Sequence, residues 1–101
     1  MLAEFSIIPI GTGESLSGQV SRVLGIIDES GLPYRLNPMG TVVEGEWDEV
    51  MRLIRKCHRA AMKHTGRCVL RIDIDDRKGK KGRMEQKISS VEKKLGRKLK
   101  K

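Results

Sequence analysis

Four sets of residues carry types able to do chemistry. The segment Gly11-Thr-Gly-Glu-Ser-Leu-Ser-Gly18 looks like a phosphate cradle, because free N–H groups at a strand-to-helix turn bind anions. The Walker pattern needs Gly-Lys-Ser/Thr, and no lysine is present; the dinucleotide pattern needs glycine where Leu16 stands. A turn and a helix cap account for the segment better. Asp73, Asp75 and Asp76 offer hard oxygen ligands of the kind that suit Mg²⁺ or Ca²⁺. Strand alternation sets Asp73 and Asp75 on one face, about 7 Å apart. Arg71 and Arg77 lie alongside and compete for that charge, so ion pairs at a strand end are the better reading. His58 and His64 are separated by about 600° of helix rotation and diverge too far to chelate one metal. Cys57 faces the core, where a thiol acts as a small hydrophobe, and Cys68 falls on a strand expected to bury it. No Ser-His-Asp or carboxylate catalytic set can be assembled. The expectation is no enzyme, no metal and no cofactor.

The elements that position these residues follow from periodicity. Residues 2–10 alternate, with Ala3, Phe5 and Ile7 on one face and Glu4, Ser6 and Ile8 on the other, as in a strand buried on one side. Pro9 cannot donate to a ladder, so the strand should loosen there. Ser15 or Ser17 can cap the helix that follows. Leu16, Val20, Val23, Leu24 and Ile27 repeat at helical spacing until Gly31 and Pro33. Tyr34 to Pro38 and Thr41 to Gly45 make a hairpin about Met39-Gly40. From about Glu46 a second helix buries Trp47, Val50, Ile54, Cys57 and Ala61, and Gly66 ends it. Cys68, Leu70, Ile72 and Ile74 then alternate with Val69, Arg71, Asp73 and Asp75 in a clear strand. Lys78-Gly-Lys-Lys-Gly82 is a solvated basic loop. Met84, Ile88, Val91 and Leu95 mark a third helix, and Gly96 ends it.

The order β-α-β-β-α-β with an added C-terminal helix predicts an α+β, ferredoxin-like sandwich with a four-stranded antiparallel sheet. Residues 1–95 form the single domain and residues 96–101 a basic tail. Right-handed crossovers place both helices on one sheet face. The other face is left carrying Glu4, Ser6, Ile8, Arg35, Asn37, Val42, Glu44, Val69, Arg71 and Asp73. The first strand is expected in the centre, beside the third and fourth, with Glu4 near Glu44 and Arg71. Such a face suits a polar small-molecule site, an interface with one, or plain solvated surface, and Glu4, Glu44 and Arg71 can form a cross-strand charge cluster that holds the sheet or an oligomer together.

Three stretches sit in order at the expected places: Ser6-Ile-Ile-Pro-Ile-Gly-Thr12, Met39-Gly-Thr-Val-Val-Glu-Gly-Glu46 and Ile72-Asp-Ile-Asp-Asp-Arg77. They resemble the thiamine-binding protein family, in its YkoF-like group, from about Leu2 to Val91. The resemblance implies a ferredoxin-like fold and assembly as a homodimer or homotetramer through the sheets. It also implies binding of thiamine or its hydroxymethylpyrimidine moiety without catalysis. The Lys-rich end beyond about Gly96 departs from the shorter tails of that family. Thiamine carries a permanent positive charge on its thiazolium, and its aminopyrimidine offers donors and acceptors. A binder needs polar groups for that edge and an apolar wall for the ring. Glu4, Ser6, Asn37, Thr41, Glu44 and Asp73 supply the polar groups. Ile8, Met39 and Val42 supply the wall, and Thr12 and Ser15 close the mouth.

Length and charge bound the alternatives. The chain has 101 residues, 38% of them hydrophobic, enough for one small domain. No apolar run is long enough to span a membrane, and no signal peptide is visible. Two cysteines without a pairing pattern suit a reducing cytoplasm. The net charge is +8, which favours a nucleic-acid partner. Residues 1–76, however, hold 9 basic and 11 acidic side chains, whereas residues 77–101 hold 12 and 2. The excess therefore sits in the C-terminal segment. Phe5, Tyr34 and Trp47 are the only aromatics, too few for a base-stacking module. Electrostatic binding of nucleic acid through the basic end is the second reading.

Overall fold

The alternation of residues 2–10 does produce a strand, β1 (Leu2–Ile10), and Leu16 opens a helix, α1 (Leu16–Glu29). A hairpin of β2 (Tyr34–Asn37) and β3 (Gly40–Glu44) follows. Then come α2 (Trp47–Met62), β4 (Arg67–Asp75) and α3 (Arg83–Leu95). The computed structural model describes residues 1–11, 16–78 and 83–99, without the side chains of residues 16, 17, 83 and 85–87. The basic loop expected over residues 78–82 lies largely outside the described residues.

The four strands form one antiparallel sheet in the order β2-β3-β1-β4. β1 is central, as the ferredoxin-like plan requires. Its register sets Ala3 against Val43 and Ile74, and Phe5 against Thr41 and Ile72. α1 and α2 cover that face. The core joins Ala3, Phe5 and Val43 of the sheet to Ile27 of α1 and to Val50, Leu53, Ile54 and Cys57 of α2. Across the opposite face Arg35, Val42, Glu4 and Asp73 form one row, whereas Thr41, paired with Phe5, lies on the helix-covered face.

α2 starts at a reach-back contact, in which the Glu49 carboxylate accepts the Glu46 N–H at 2.9 Å. That bond satisfies one donor that the first helical turn would leave unpaired. The helix stops at Met62 with Lys63 as its C-cap, ahead of Gly66. Gly31 and Gly96 take positive φ just past α1 and α3, where a Cβ would be strained.

Several expectations need correction. Trp47 is 52% exposed and outside the core. It is the first residue of α2 and lies about 60° from the centre of the buried arc; Leu53, which falls within the arc, is buried. Val20 is likewise exposed rather than core. α1 begins at Leu16, so Ser17 is inside the helix and does not cap it, while Ser15 is outside the described residues. Cys68 is half-buried because it lies near the end of the edge strand β4. Pro9 does not loosen β1, which stays paired to β4 as far as Ile10. Backbone direction explains this. The Met1 carbonyl accepts from Gly45 and the Ile10 carbonyl from Thr65. Odd residues of β1 therefore turn their backbone groups toward β3, and even residues toward β4. The donor that Pro9 lacks would have faced the β3 side, where no strand runs.

Candidate functional site

β1 pairs with β4 along nine residues but with β3 only from Leu2 to Phe5. Gly40 is the first residue of β3. A Cβ there would sit 3.2 Å from both the Phe5 carbonyl oxygen and Glu4 Cγ, so only glycine fits this approach without displacement. The turn at Pro38-Met39 lies just before Gly40, which leaves the β3-side edge of residues 6–10 without a strand. α1 runs over the gap. The result is a notch of about 570 Å³ between the edge of β1, the tip of the β2–β3 hairpin and α1.

The walls are mainly apolar. Phe5, Ile7, Ile8 and Pro9 line it from β1, and Val20, Val23 and Leu24 from α1. Leu36 and Pro38 close the hairpin side. Polar groups are few: Ser6, Gln19, Asn37, Thr41 and Arg71. The alternation of β1 adds the Ile7 backbone, whose N–H and C=O turn toward the side that β3 has vacated. A small number of directional groups in an apolar wall is the composition of a small-molecule site.

Of the ten residues expected to hold a ligand, Ser6, Ile8, Asn37, Met39 and Thr41 line this notch. Met39 is 87% exposed at the hairpin tip, so it borders the mouth rather than walling the interior. Glu4, Glu44 and Asp73 lie outside the lining. Glu4 sits two residues from Ser6 on the same face, about 7 Å away, directly opposite Asp73. Glu44 is further along, opposite Leu2. Thr12 and Ser15 lie outside the described residues. The sequence reading missed Gln19, which is only 3% exposed yet polar. Its signal was present: Gln19 lies four residues before Val23, on the inward stripe of α1.

No three His, Cys, Asp or Glu side chains converge on a metal position among the described residues. Burial pushes the Cys57 thiol from 9.0 up to about 11, which disfavours the nucleophilic thiolate. The folded protein therefore holds this proton more tightly than the unfolded chain does. Stability from this group is intact below about pH 9 and is lost as pH rises toward about 11. Denaturant melts between pH 8 and 11 should show that decline, with a shallower slope in Cys57→Ala. At pH 8 a thiol reagent should label Cys68 in the native state and Cys57 only after unfolding.

A family model described as thiamine-binding protein matches residues 3–92. The chain belongs to that family. The UPF0045 protein YqgV of Bacillus subtilis is 40% identical over 100 residues, covering 93% of this chain and 96% of its own. The UPF0045 protein MJ1052 of Methanocaldococcus jannaschii is 34% identical over 91 residues, covering 90% and 91%. A crystal structure of MJ1052 superposes with a TM-score of 0.80 over 89% of this chain and 93% of that one. A Thermotoga maritima structure, provisionally assigned to thiamine biosynthesis or salvage, gives 0.78 at 28% identity, covering 89% and 96%. The ferredoxin-like fold expected from the sequence is the fold observed. No helix among the described residues is long and apolar enough to cross a membrane.

Proposed function

We propose that this member of the family is a non-enzymatic binding protein for thiamine or a related aminopyrimidine. The pyrimidine ring occupies the notch and the thiazolium points along the sheet toward Glu4 and Asp73. The observation that carries this reading is the notch itself, a mainly apolar slot of about 570 Å³ with a few polar groups in its lining. An aminopyrimidine edge presents donors and acceptors together, and the Ile7 backbone with Asn37 and Ser6 offers the complement. Ile8, Val20 and Leu36 flank the ring. The ligand's permanent cation is drawn to the carboxylates of the open face.

A homodimer or homotetramer, formed through the sheets in the cytoplasm, belongs to the same proposal. It is supported by the exposure of Ile8 and Val69 on the sheet, by the exposure of Val91 and Leu95 on α3, and by two free cysteines.

Titration calorimetry with thiamine and with hydroxymethylpyrimidine tests the function. Both should bind the native protein. Asn37→Ala should weaken both about tenfold, the loss of roughly one hydrogen bond to the ring. Absence of heat from either compound at millimolar concentration would overturn the reading.

A further inference from the structure

The helix layer carries a second concavity that the proposed function does not use. It is a groove of about 530 Å³ between α2 and the C-terminal part of α1. One wall is a row of cations: Arg52, Lys56, Arg59 and Lys63. Their spacings of 4, 3 and 4 residues keep all four within roughly 60° of arc, with steps of about 4.5–6 Å and a total rise of about 16 Å. All four are exposed. No ion pair engages any of them among the described residues. The floor is apolar, formed by Ile26, Leu32, Leu53 and Ala60.

Two carboxylates, Glu29 and Glu49, also line the groove. α1 and α2 each run back against antiparallel strands, so they are antiparallel to each other. The C-terminal end of α1 therefore meets the start of α2, which puts both carboxylates at the Arg52 end. Glu49 is engaged with the Glu46 N–H. The Ser30 hydroxyl is engaged as well, donating to the Ile27 carbonyl and accepting from Leu32. The end bounded by Lys56, Arg59 and Lys63 is left cationic and open.

We infer that this groove binds the phosphate backbone of single-stranded nucleic acid. Four cations at regular short intervals match a ligand whose anions repeat along a line, and the row is longer than the phosphate tail of one nucleotide. Sugars rest on the apolar floor. The lining holds no aromatic side chain to stack a base, so binding is weak, sequence-blind and salt-sensitive. The placement differs from that drawn from composition, which put all basic excess in the C-terminal segment. Five of the nine basic residues of the first 76 fall between Arg52 and Lys63. A near-neutral sum concealed them, because the acidic residues balancing them include Glu4, Glu44, Asp73 and Asp75 on the far side of the sheet.

Fluorescence anisotropy of a labelled oligothymidylate, titrated with the full chain across a salt series, tests the inference. Four phosphate contacts give a log–log salt slope of about −3 for a single strand. Lys56→Glu, Arg59→Glu and Lys63→Glu together should lower affinity more than tenfold and flatten that slope. Lys93→Glu, Lys94→Glu and Lys98→Glu change the net charge equally and should cost less than threefold. Should the first triple variant fail to fold by circular dichroism, Arg59→Gln with Lys63→Gln replaces it, with an expected loss of at least threefold. Equal losses in the groove and tail variants, or no binding to the native protein at low salt, would overturn the assignment. Thiamine titration of the same variants should be unchanged, which separates this site from the notch.

Discussion

Glu4→Gln combined with Asp73→Asn should weaken thiamine binding about tenfold and leave hydroxymethylpyrimidine binding unchanged. The two ligands share the ring placed in the notch. Only thiamine carries the permanent thiazolium charge, and Glu4 and Asp73 lie one side-chain repeat along the face from Ser6. Both carboxylates are exposed, so each contributes well under the buried-pair scale, on the order of 0.5–1 kcal/mol. Together that is about a factor of ten in affinity. Calorimetry with both ligands reads the split directly, and equal losses for the two would remove the carboxylates from the site. A second readout is stability. Like charges directly opposite on neighbouring strands repel, and Glu4 stands opposite Asp73. Neutralising them should therefore hold or slightly raise the melting temperature. A pair that costs the fold something and aids only a cation is what a binding face retains.

The alternation in residues 2–8 and 68–75 was sufficient to assign every one of these side chains to its face. A period of two leaves no freedom once one face is buried, and Glu4, Ser6, Arg71 and Asp73 all lie where it places them. The notch was not visible in the same way. It exists because the pairing of β3 with β1 reaches only to Phe5, where Gly40 packs close against the Phe5 carbonyl and Glu4. Nothing local in Met39-Gly40-Thr41 states how far the partner strand continues. That is why the expected site was drawn from the open face and the first strand-to-helix loop, whereas the concavity also draws in Gln19, Val20 and Val23 of α1. Val20, part of the apolar repeat of α1, is exposed at this slot. Helical spacing identifies an apolar stripe but does not say whether protein or a vacant slot faces it. Charge behaved likewise. A sum over residues 1–76 discards position: the fold sets Glu4, Glu44, Asp73 and Asp75 on the sheet face beside Arg35 and Arg71, and gathers Arg52, Lys56, Arg59 and Lys63 along the helix groove.

Phe5→Ala should destabilise the protein by about 3–5 kcal/mol, the range for deleting a buried aromatic side chain. Phe5 is 3% exposed and belongs to the central cluster with Ala3, Ile27, Val43 and Cys57. It lies on the central strand, so the vacated space is bounded by β3, β4 and the helices, and the surroundings can collapse only in part. A domain of this size has roughly 5–15 kcal/mol in total, and each kcal/mol moves its melting point by about 4–8 °C. The melting temperature should therefore fall by more than 10 °C in calorimetry or thermal circular dichroism. Ile8→Ala provides the contrast. Ile8 is on the same strand, three residues away, but is 49% exposed and borders the notch. It should cost less than about 1 kcal/mol, in keeping with the smaller area it removes from water, while weakening both ligands severalfold through the lost ring contact. A drop in ligand affinity without a drop in melting temperature at Ile8, set against a collapse in stability at Phe5, would locate the boundary between core and site along a single strand. A large stability loss at Ile8 would mean that the notch is packed interior and binds nothing.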